Sequence, residues 1–175
     1  MTLETVHKNR WKTLAVLSLS MMIIGLDNTI VNVALPTLQG RFSATASDLQ
    51  WIVDAYLLVF AAALLTMGTL GDRFGRKRAL QGGLVLFGAS SAAVLLAGGV
   101  TDLMVLRVLM GLGAALIMPA TLSIITNVFP LAERGRAIGV WAGTAALGIG
   151  LGPLVGGLLL EVFSWNSVSL INVPV

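Results

Sequence analysis

Long apolar runs separated by short polar segments make up most of this sequence. Five of the runs are long enough to cross a lipid bilayer, which takes about 20 residues in an α-helix. The pattern therefore predicts an all-α integral membrane protein, with a polar tail at residues 1–12 and an incomplete helical bundle at residues 13–175. The predicted helices lie at about 13–35, 51–70, 79–98, 102–126 and 137–160, and a last run at 168–175 predicts the start of a sixth.

Proline, glycine and tryptophan mark the expected ends of these helices. Pro36 should end the first helix, because a proline disfavours helical backbone in the residue before it. Trp51 should begin the second helix as an anchor at the membrane interface. Pro119 is expected to interrupt the fourth helix. Gly71 and Gly75 are expected to adopt positive φ in a tight loop between the second and third helices.

The composition supports a membrane location and excludes several chemistries. Hydrophobic residues make up 57% of the 175 positions and charged residues only 11%, with a mean hydropathy of +0.93. A soluble domain carries about 25% charged residues, so this chain is too apolar to be one. There is no cysteine, and the single histidine, His7, lies in the polar tail. We therefore expect no metal site, no cofactor and no enzymatic activity.

The distribution of cations predicts the orientation in the membrane. Nine of the eleven Lys and Arg residues lie in the tail or in the predicted loops at 71–78 and 127–136, while Arg41 lies in an opposite link and Arg107 within a helix. Cytoplasmic segments of inner-membrane proteins carry an excess of Lys and Arg. The N-terminus and these two loops are therefore predicted to be cytoplasmic, in a bacterial inner membrane. The segments expected outside are 37–50 and 99–102. No nucleic-acid partner is expected, because the cations lie beside helix ends rather than along one face.

Three charged residues fall within predicted spans, namely Asp27, Asp54 and Arg107. Each costs a few kcal/mol to insert into hydrocarbon, so each should face a cavity or a partner. Burial disfavours the ionised form of a carboxylate, and a nearby arginine favours it, so such a group can load and release a proton. Asp27 lies deeper than Asp54 and is the leading candidate for the proton and cation site. Two alternatives stay open: Asp54 lies in the headgroup layer, or Asp27 makes only a structural hydrogen bond.

Two glycine-containing segments suggest moving or closely packed helices. Asp72 is the only anion in the link after the second helix, and it can pair with Arg73 or Arg76 or cap a helix start, which would latch one conformation. In the fifth helix, glycines at intervals of four form a flat stripe, and Pro153 breaks the backbone hydrogen-bond ladder there. The alternatives are a cytoplasmic loop that merely collects cations, and generic helix packing. The two sets are Gly68, Asp72, Arg73, Gly75, Arg76 and Lys77 in the link, and Gly148, Gly152, Pro153, Gly156 and Gly157 in the helix.

These segments resemble motifs of the major facilitator superfamily of transporters. The link from Gly68 to Lys77 resembles the signature loop between helices 2 and 3 of that superfamily. The residues around Asp27 resemble the helix-1 motif of its drug:proton antiporters, chiefly the fourteen-helix branch. The segment around Arg107 is similar to a helix-4 motif in which the arginine is tied to proton transfer, although Met110 stands where that motif commonly has glutamine. The stripe from Gly148 to Gly157 resembles a motif specific to antiporters, and residues 163–174 are similar to the beginning of helix 6 in quaternary-ammonium exporters.

The resemblance implies the N-terminal portion of a multidrug exporter. Such a protein exchanges protons for lipophilic, often cationic drugs across the inner membrane, and the proton gradient drives it without a cofactor. Its expected partners are drug substrates, protons, the lipid bilayer and the C-terminal half of the transporter, which this sequence lacks. The alternatives are an uptake carrier of the facilitator type and a truncated membrane fragment that does not transport.

Overall fold

The structure, a computed structural model, describes residues 9–162, and these residues form five long α-helices. They are α1 (Arg10–Phe42), α2 (Ala46–Phe74), α3 (Arg76–Ala93), α4 (Val100–Val128) and α5 (Leu131–Val162), with a 3-10 turn at Val94–Leu96 after α3. All five helices are long and apolar enough to cross a membrane. The all-α membrane fold predicted from the sequence is therefore confirmed. The predicted start of a sixth helix at 168–175 and most of the predicted tail lie outside the described residues.

The first link is much shorter than predicted, because both helices that flank it are longer. Helix α1 continues through Pro36 to Phe42, so the prediction that it stops before this proline is wrong. Proline already has a helical φ and removes only one backbone bond, and the burial of Leu38 against Ile52 and Leu103 offsets that loss. Only residues 43–45 separate α1 from α2, in place of the predicted link at 37–50.

Helix α2 begins at Ala46 and not near Trp51, because a capping box fixes its first turn. The Thr45 hydroxyl accepts from the Asp48 backbone N–H at 3.2 Å, and the Asp48 carboxylate accepts from the Thr45 N–H at 2.9 Å. These bonds satisfy two backbone N–H groups that a helix start otherwise leaves without acceptors.

The other predicted breaks are also smaller than expected. Helix α2 continues through Gly71 to Phe74, and only Gly75, with φ of +100°, separates it from α3. The expectation of a positive φ at Gly71 is therefore wrong. Helix α4 is continuous through Pro119, so that expected interruption is wrong too. The predicted loop at 127–136 is reduced to two residues, 129 and 130, before α5.

The helices pack as two groups that share one apolar core. Helix α1 packs mainly against α5, while α4 packs against both α2 and α3. Glycines allow close approach within the second group: a Cβ at Gly83 would lie 2.9 Å from the Gly113 carbonyl oxygen, and one at Gly111 would lie 2.7 Å from the Tyr56 carbonyl oxygen. The core between the groups contains Leu14, Leu17, Met21, Tyr56, Phe87, Met110, Ile117, Phe129 and Trp141.

Candidate functional site

A buried ion pair joins α1 to α4. The Nη1 of Arg107 donates a hydrogen bond to Oδ2 of Asp27 at 2.6 Å, and the two residues are only 4% and 2% exposed. A charge buried without a partner costs several kcal/mol, so each member of this pair compensates the buried charge of the other. The sequence indicated that one carboxylate would pair with Arg107, and the structure gives that position to Asp27.

Helix α2 completes the surroundings of Arg107. The Nε of Arg107 donates to the backbone carbonyl of Ile52 at 3.2 Å, and its guanidinium lies 4.3 Å above the centre of the Tyr56 ring. A cation over an aromatic face is attracted by the ring quadrupole, most strongly when both are dehydrated. One arginine on α4 therefore contacts two other helices, α1 and α2. Sequence reasoning did not assign Tyr56 to the site, although Ile52 and Tyr56 are four residues apart and so share a helical face.

Two polar groups at this buried site can still form hydrogen bonds. Within the described residues, neither Nη2 of Arg107 nor the hydroxyl of Tyr56 has a hydrogen-bond partner. Met110 is buried in the apolar core, so the position where related motifs carry glutamine adds no polar group. The site therefore holds a carboxylate, a guanidinium and a phenol in otherwise apolar surroundings.

Asp54 does not join this pair. It lies eight residues after the start of α2, is partly exposed, and forms no ion pair within residues 9–162. Because α2 begins earlier than predicted, Asp54 lies beyond the second helical turn rather than within the first two. Of the three charges expected within the spans, the structure brings together Asp27 and Arg107 and leaves Asp54 apart.

A second ion pair joins the end of α2 to the start of α3. Oδ1 of Asp72 lies 3.1 Å from Nε of Arg76, which is one of the two partners predicted for it. The Nη1 of Arg76 also donates to the backbone carbonyl of Ser123 in α4 at 3.2 Å. Arg73 lies over the ring of Phe74 instead, with 5.5 Å between its guanidinium carbon and the ring centre. The pair is largely exposed, so its strength depends on how the neighbouring helix covers it.

The other residues of the set from Gly68 to Lys77 pack against α4, form the turn or lie exposed. Gly68 faces Pro119, where a Cβ would lie 3.6 Å from the proline ring. Gly75 makes the turn with its positive φ, and Lys77 is exposed. The set therefore includes a salt bridge, a turn and a contact with α4.

Three glycines of the α5 stripe face α1. A Cβ at Gly148 would collide with the carbonyl oxygen of Met22, and one at Gly152 would collide with the Thr29 side chain. A Cβ at Gly156 would lie 2.8 Å from Cγ1 of Ile30, whereas the space around Gly157 is open. The helix that the stripe was expected to meet is therefore α1, and Gly157 takes no part in the contact.

An ion pair that sequence reasoning missed links the starts of α1 and α5. Nε of Arg10 lies 2.9 Å from Oε2 of Glu133, and the guanidinium carbon of Arg136 lies 5.3 Å from the centre of the Trp11 ring. In the sequence these cations served only to predict orientation. Their pairing depends on two helix starts 123 positions apart, and nothing local in the sequence indicates it.

Comparison with known proteins identifies the family. Residues 17–175 match the Major Facilitator Superfamily. The chain is 41% identical over 165 residues to the Tetracenomycin C resistance and export protein of Streptomyces glaucescens, covering 94% of this chain and 31% of that protein. It is 45% identical over 167 residues to the Methyl viologen resistance protein SmvA of Salmonella typhimurium, covering 95% of this chain and 34% of that protein. The chain thus spans about a third of the length of these relatives.

A solved structure supports the same fold. A bacterial homologue of the human lysosomal transporter Spinster, in an inward-facing and unoccupied conformation, aligns with a TM-score of 0.74. The alignment covers 94% of this chain and 40% of that one, at 22% identity. The resemblance inferred from the motifs is confirmed, as is the expectation that the chain is not an enzyme, since the family consists of transporters. This chain, a multi-pass membrane protein related to drug-resistance exporters, belongs to the major facilitator superfamily.

Proposed function

We propose that the chain is part of a proton-coupled exporter of lipophilic cations in a bacterial inner membrane, with its N-terminus in the cytoplasm. The observation that carries the proposal is the buried pair of Asp27 and Arg107, whose facing atoms are 2.6 Å apart. Ionisable residues within membrane helices are rare because they are costly, and they typically mark pathways for ions or protons. A pair with no transport role would be replaced by apolar residues at little cost.

The pair can hold or exchange a proton according to how α1 and α4 are placed. In the proposed cycle, Asp27 carries no proton while Arg107 contacts it. When the two helices separate, Asp27 loses its cation in apolar surroundings, and the neutral, protonated form becomes favourable. The hydrogen bond from Arg107 to Ile52 and the Tyr56 ring would keep the arginine on the α2–α4 side during that separation.

A lipophilic cation can take the place of the proton. Asp27 offers a negative charge in apolar surroundings, and methyl viologen, against which one relative gives resistance, is an organic dication. Proton and drug would compete for one carboxylate, so each lowers the apparent affinity of the other, and exchange follows from that reciprocity. Asp54, being partly exposed, is the secondary candidate for the same role.

The link between α2 and α3 would act as a conformational latch. The contacts of Arg76 with Asp72 and with the Ser123 carbonyl tie the link to α4 in the present conformation. We expect Asp72→Asn in the full-length protein to lower the transport rate while expression and drug affinity stay the same, because the contact depends on conformation and lies away from Asp27. An unchanged rate at normal protein levels would exclude the latch.

The test of the proton site compares Asp27→Asn with Asp54→Asn in the full-length protein. Methyl viologen is added to the protein in lightly buffered detergent, and proton release is followed with a pH indicator. The parent and Asp54→Asn are expected to release protons, whereas Asp27→Asn is expected to release none. Release by Asp27→Asn equal to that of the parent, with Asp54→Asn silent, would reverse the two assignments. Parental release by both variants would place coupling outside this chain.

The second candidate function is uptake by a carrier of the facilitator type. The α5 glycine stripe resembles an antiporter motif and packs closely against α1, which favours export. Inverted membrane vesicles separate the two functions. An exporter accumulates methyl viologen in such vesicles when respiration acidifies their interior, and an uncoupler abolishes the accumulation. Uptake that is insensitive to the uncoupler would favour the facilitator.

A further inference from the structure

Where α1 and α5 cross, a hydrogen bond from α1 satisfies a backbone carbonyl of α5 that Pro153 leaves without a donor. Pro153 has no backbone N–H, so it cannot donate to the carbonyl of Ile149, four residues earlier in the helix. In the structure the Oγ1 of Thr29, on α1, donates to this carbonyl at 3.0 Å. Hydrocarbon offers no donor for a freed carbonyl, and Ser or Thr side chains are among the groups that can satisfy it within a membrane.

The Thr29 hydroxyl lies closer to a backbone carbonyl of α5 than to the carbonyls of its own helix. Its distances to the carbonyl oxygens of Gly25 and Leu26 in α1 are 3.4 and 3.3 Å, both longer than the bond to Ile149. A hydroxyl has one proton to donate. The shortest of the three contacts is therefore the one that joins the two helices.

The residue before the proline makes this approach possible. A Cβ at Gly152 would collide with Oγ1 of Thr29, so only glycine leaves room for the hydroxyl to reach the Ile149 carbonyl. Gly152 and Pro153 thus have complementary effects. Pro153 leaves the Ile149 carbonyl without a backbone donor, and Gly152 leaves the space through which the Thr29 hydroxyl reaches that carbonyl. Thr29 itself lies two residues after Asp27 on α1.

We propose that Thr29 is a positioning residue whose hydroxyl replaces the amide donor that Pro153 lacks, and that this bond fixes α5 against α1 beside Asp27. The bond lets α5 keep a proline at the crossing without leaving a backbone carbonyl unsatisfied. It also connects α5 to the segment of α1 that carries the buried carboxylate. This inference rests on the geometry of the crossing and not on the proposed substrate.

The test is a double-mutant cycle in which the second substitution restores the missing donor. Thr29→Val keeps the shape of the side chain and removes the hydroxyl, while Pro153→Ala gives α5 its own N–H for the Ile149 carbonyl. The full-length parent, both single variants and the double variant are unfolded with a denaturing detergent, and tryptophan fluorescence follows the transition. Hydrogen bonds between membrane helices change the unfolding equilibrium by about threefold on average. Thr29→Val is expected to cause a change of about this size in the parent and almost none in the Pro153→Ala background.

Two further variants make the result specific. Thr29→Ser keeps the hydroxyl and is expected to behave like the parent. Thr144→Val is the matched control, because the Thr144 hydroxyl donates to Val140 within α5 and does not cross to α1. Its effect should be the same with and without Pro153→Ala. The maximal transport rate of the four cycle members is expected to follow the same order as their stability.

Several outcomes would overturn the proposal. Equal effects of Thr29→Val in both backgrounds would mean that its hydroxyl does not substitute for the proline's donor. A Thr29→Ser variant as unstable as Thr29→Val would show that keeping the hydroxyl does not preserve stability. No effect of Thr29→Val in the parent would also exclude the bond. If Thr29→Val fails to fold alone, the proposal requires that adding Pro153→Ala restores folding.

Discussion

Asp27 and Arg107 stabilise the bundle only while both are present. Each is almost completely buried, and the arginine also contacts α2 through Ile52 and Tyr56. Removal of one member of a buried pair leaves a charge without compensation, whereas removal of both leaves an apolar or neutral site. Breaking the pair leaves a buried charge, and a proton or a cation bound at Asp27 can compensate that charge.

This dependence predicts the stability of variants at the pair. Arg107→Met keeps much of the side-chain volume but removes the cation that faces the buried Asp27 carboxylate, which costs up to about 3–5 kcal/mol. We expect it to lower the Tm of the full-length protein in detergent, and the added substitution Asp27→Asn to recover most of that loss. Lys77→Met is the control, because Lys77 is exposed and surface substitutions change stability by only about 0.5 kcal/mol. A double variant as unstable as Arg107→Met alone would show that the buried charge of Asp27 is not the cause.

At the scale of helices, the crossing of α1 and α5 depends on the absence of side chains. Gly25 on α1 and the α5 stripe face each other, and a Cβ at Gly25 would lie 2.5 Å from the carbonyl oxygen of Ala145. Small residues let backbones approach closely, which is the main source of packing energy between helices in a membrane. Any movement of α5 relative to α1 therefore has to keep or break this contact as a whole.

The crossing predicts unequal effects of alanine along the stripe. In Gly148→Ala, the new methyl group meets the backbone carbonyl of Met22, which cannot move aside as a flexible side chain can. Overpacking of this kind costs about 1–3 kcal/mol. Gly157→Ala is the matched control, because nothing lies within 4 Å of its Cβ position, and alanine favours a helix over glycine. In thermal unfolding in detergent, we expect the Tm of Gly148→Ala to lie below that of the parent and the Tm of Gly157→Ala to equal or exceed it. The opposite order would contradict the close contact at the crossing.

The sequence predicted the helices better than their ends. Hydrophobic runs identified all five described helices, because a span needs a minimum apolar length. Trp51 predicts the start of α2 five residues too late, and the spacing of Thr45 and Asp48 is the sequence signal for the observed start at Ala46. Pro36 predicts the end of the first helix, but α1 continues past it and buries Leu38 against Ile52 and Leu103.

The candidate site was predictable in its residue types but not in its pairing. Charges within apolar runs stand out in one dimension, so Asp27, Asp54 and Arg107 could be named. Which carboxylate meets the arginine depends on how helices 80 residues apart in sequence pack, and periodicity does not contain that information. The roles of Tyr56 and Thr29 likewise depend on contacts with another helix.

At the scale of the whole chain, the four connections between the described helices alternate between two ends of the bundle. The start of α1, the α2–α3 link and the α4–α5 link lie at one end, because five helices cross in succession. This end carries the ion pairs of Arg10 with Glu133 and of Asp72 with Arg76. The other end carries the capping box at Thr45 and the link before α4. The concentration of cations at the first end is what predicts its cytoplasmic location.

Single cysteines can test this orientation directly, because the sequence has no cysteine of its own. Ser43 is exposed at the end away from the cations, and Lys77 is exposed at the end that carries them, so each tolerates replacement by cysteine without loss of a buried contact. Lys77 serves better than Gly75, whose φ of +100° disfavours any side chain. On intact bacteria, a membrane-impermeant maleimide is expected to label Ser43→Cys and not Lys77→Cys, while permeabilised cells should label both. Labelling of Lys77→Cys alone on intact cells would mean that the chain is inserted the other way, against the positive-inside rule.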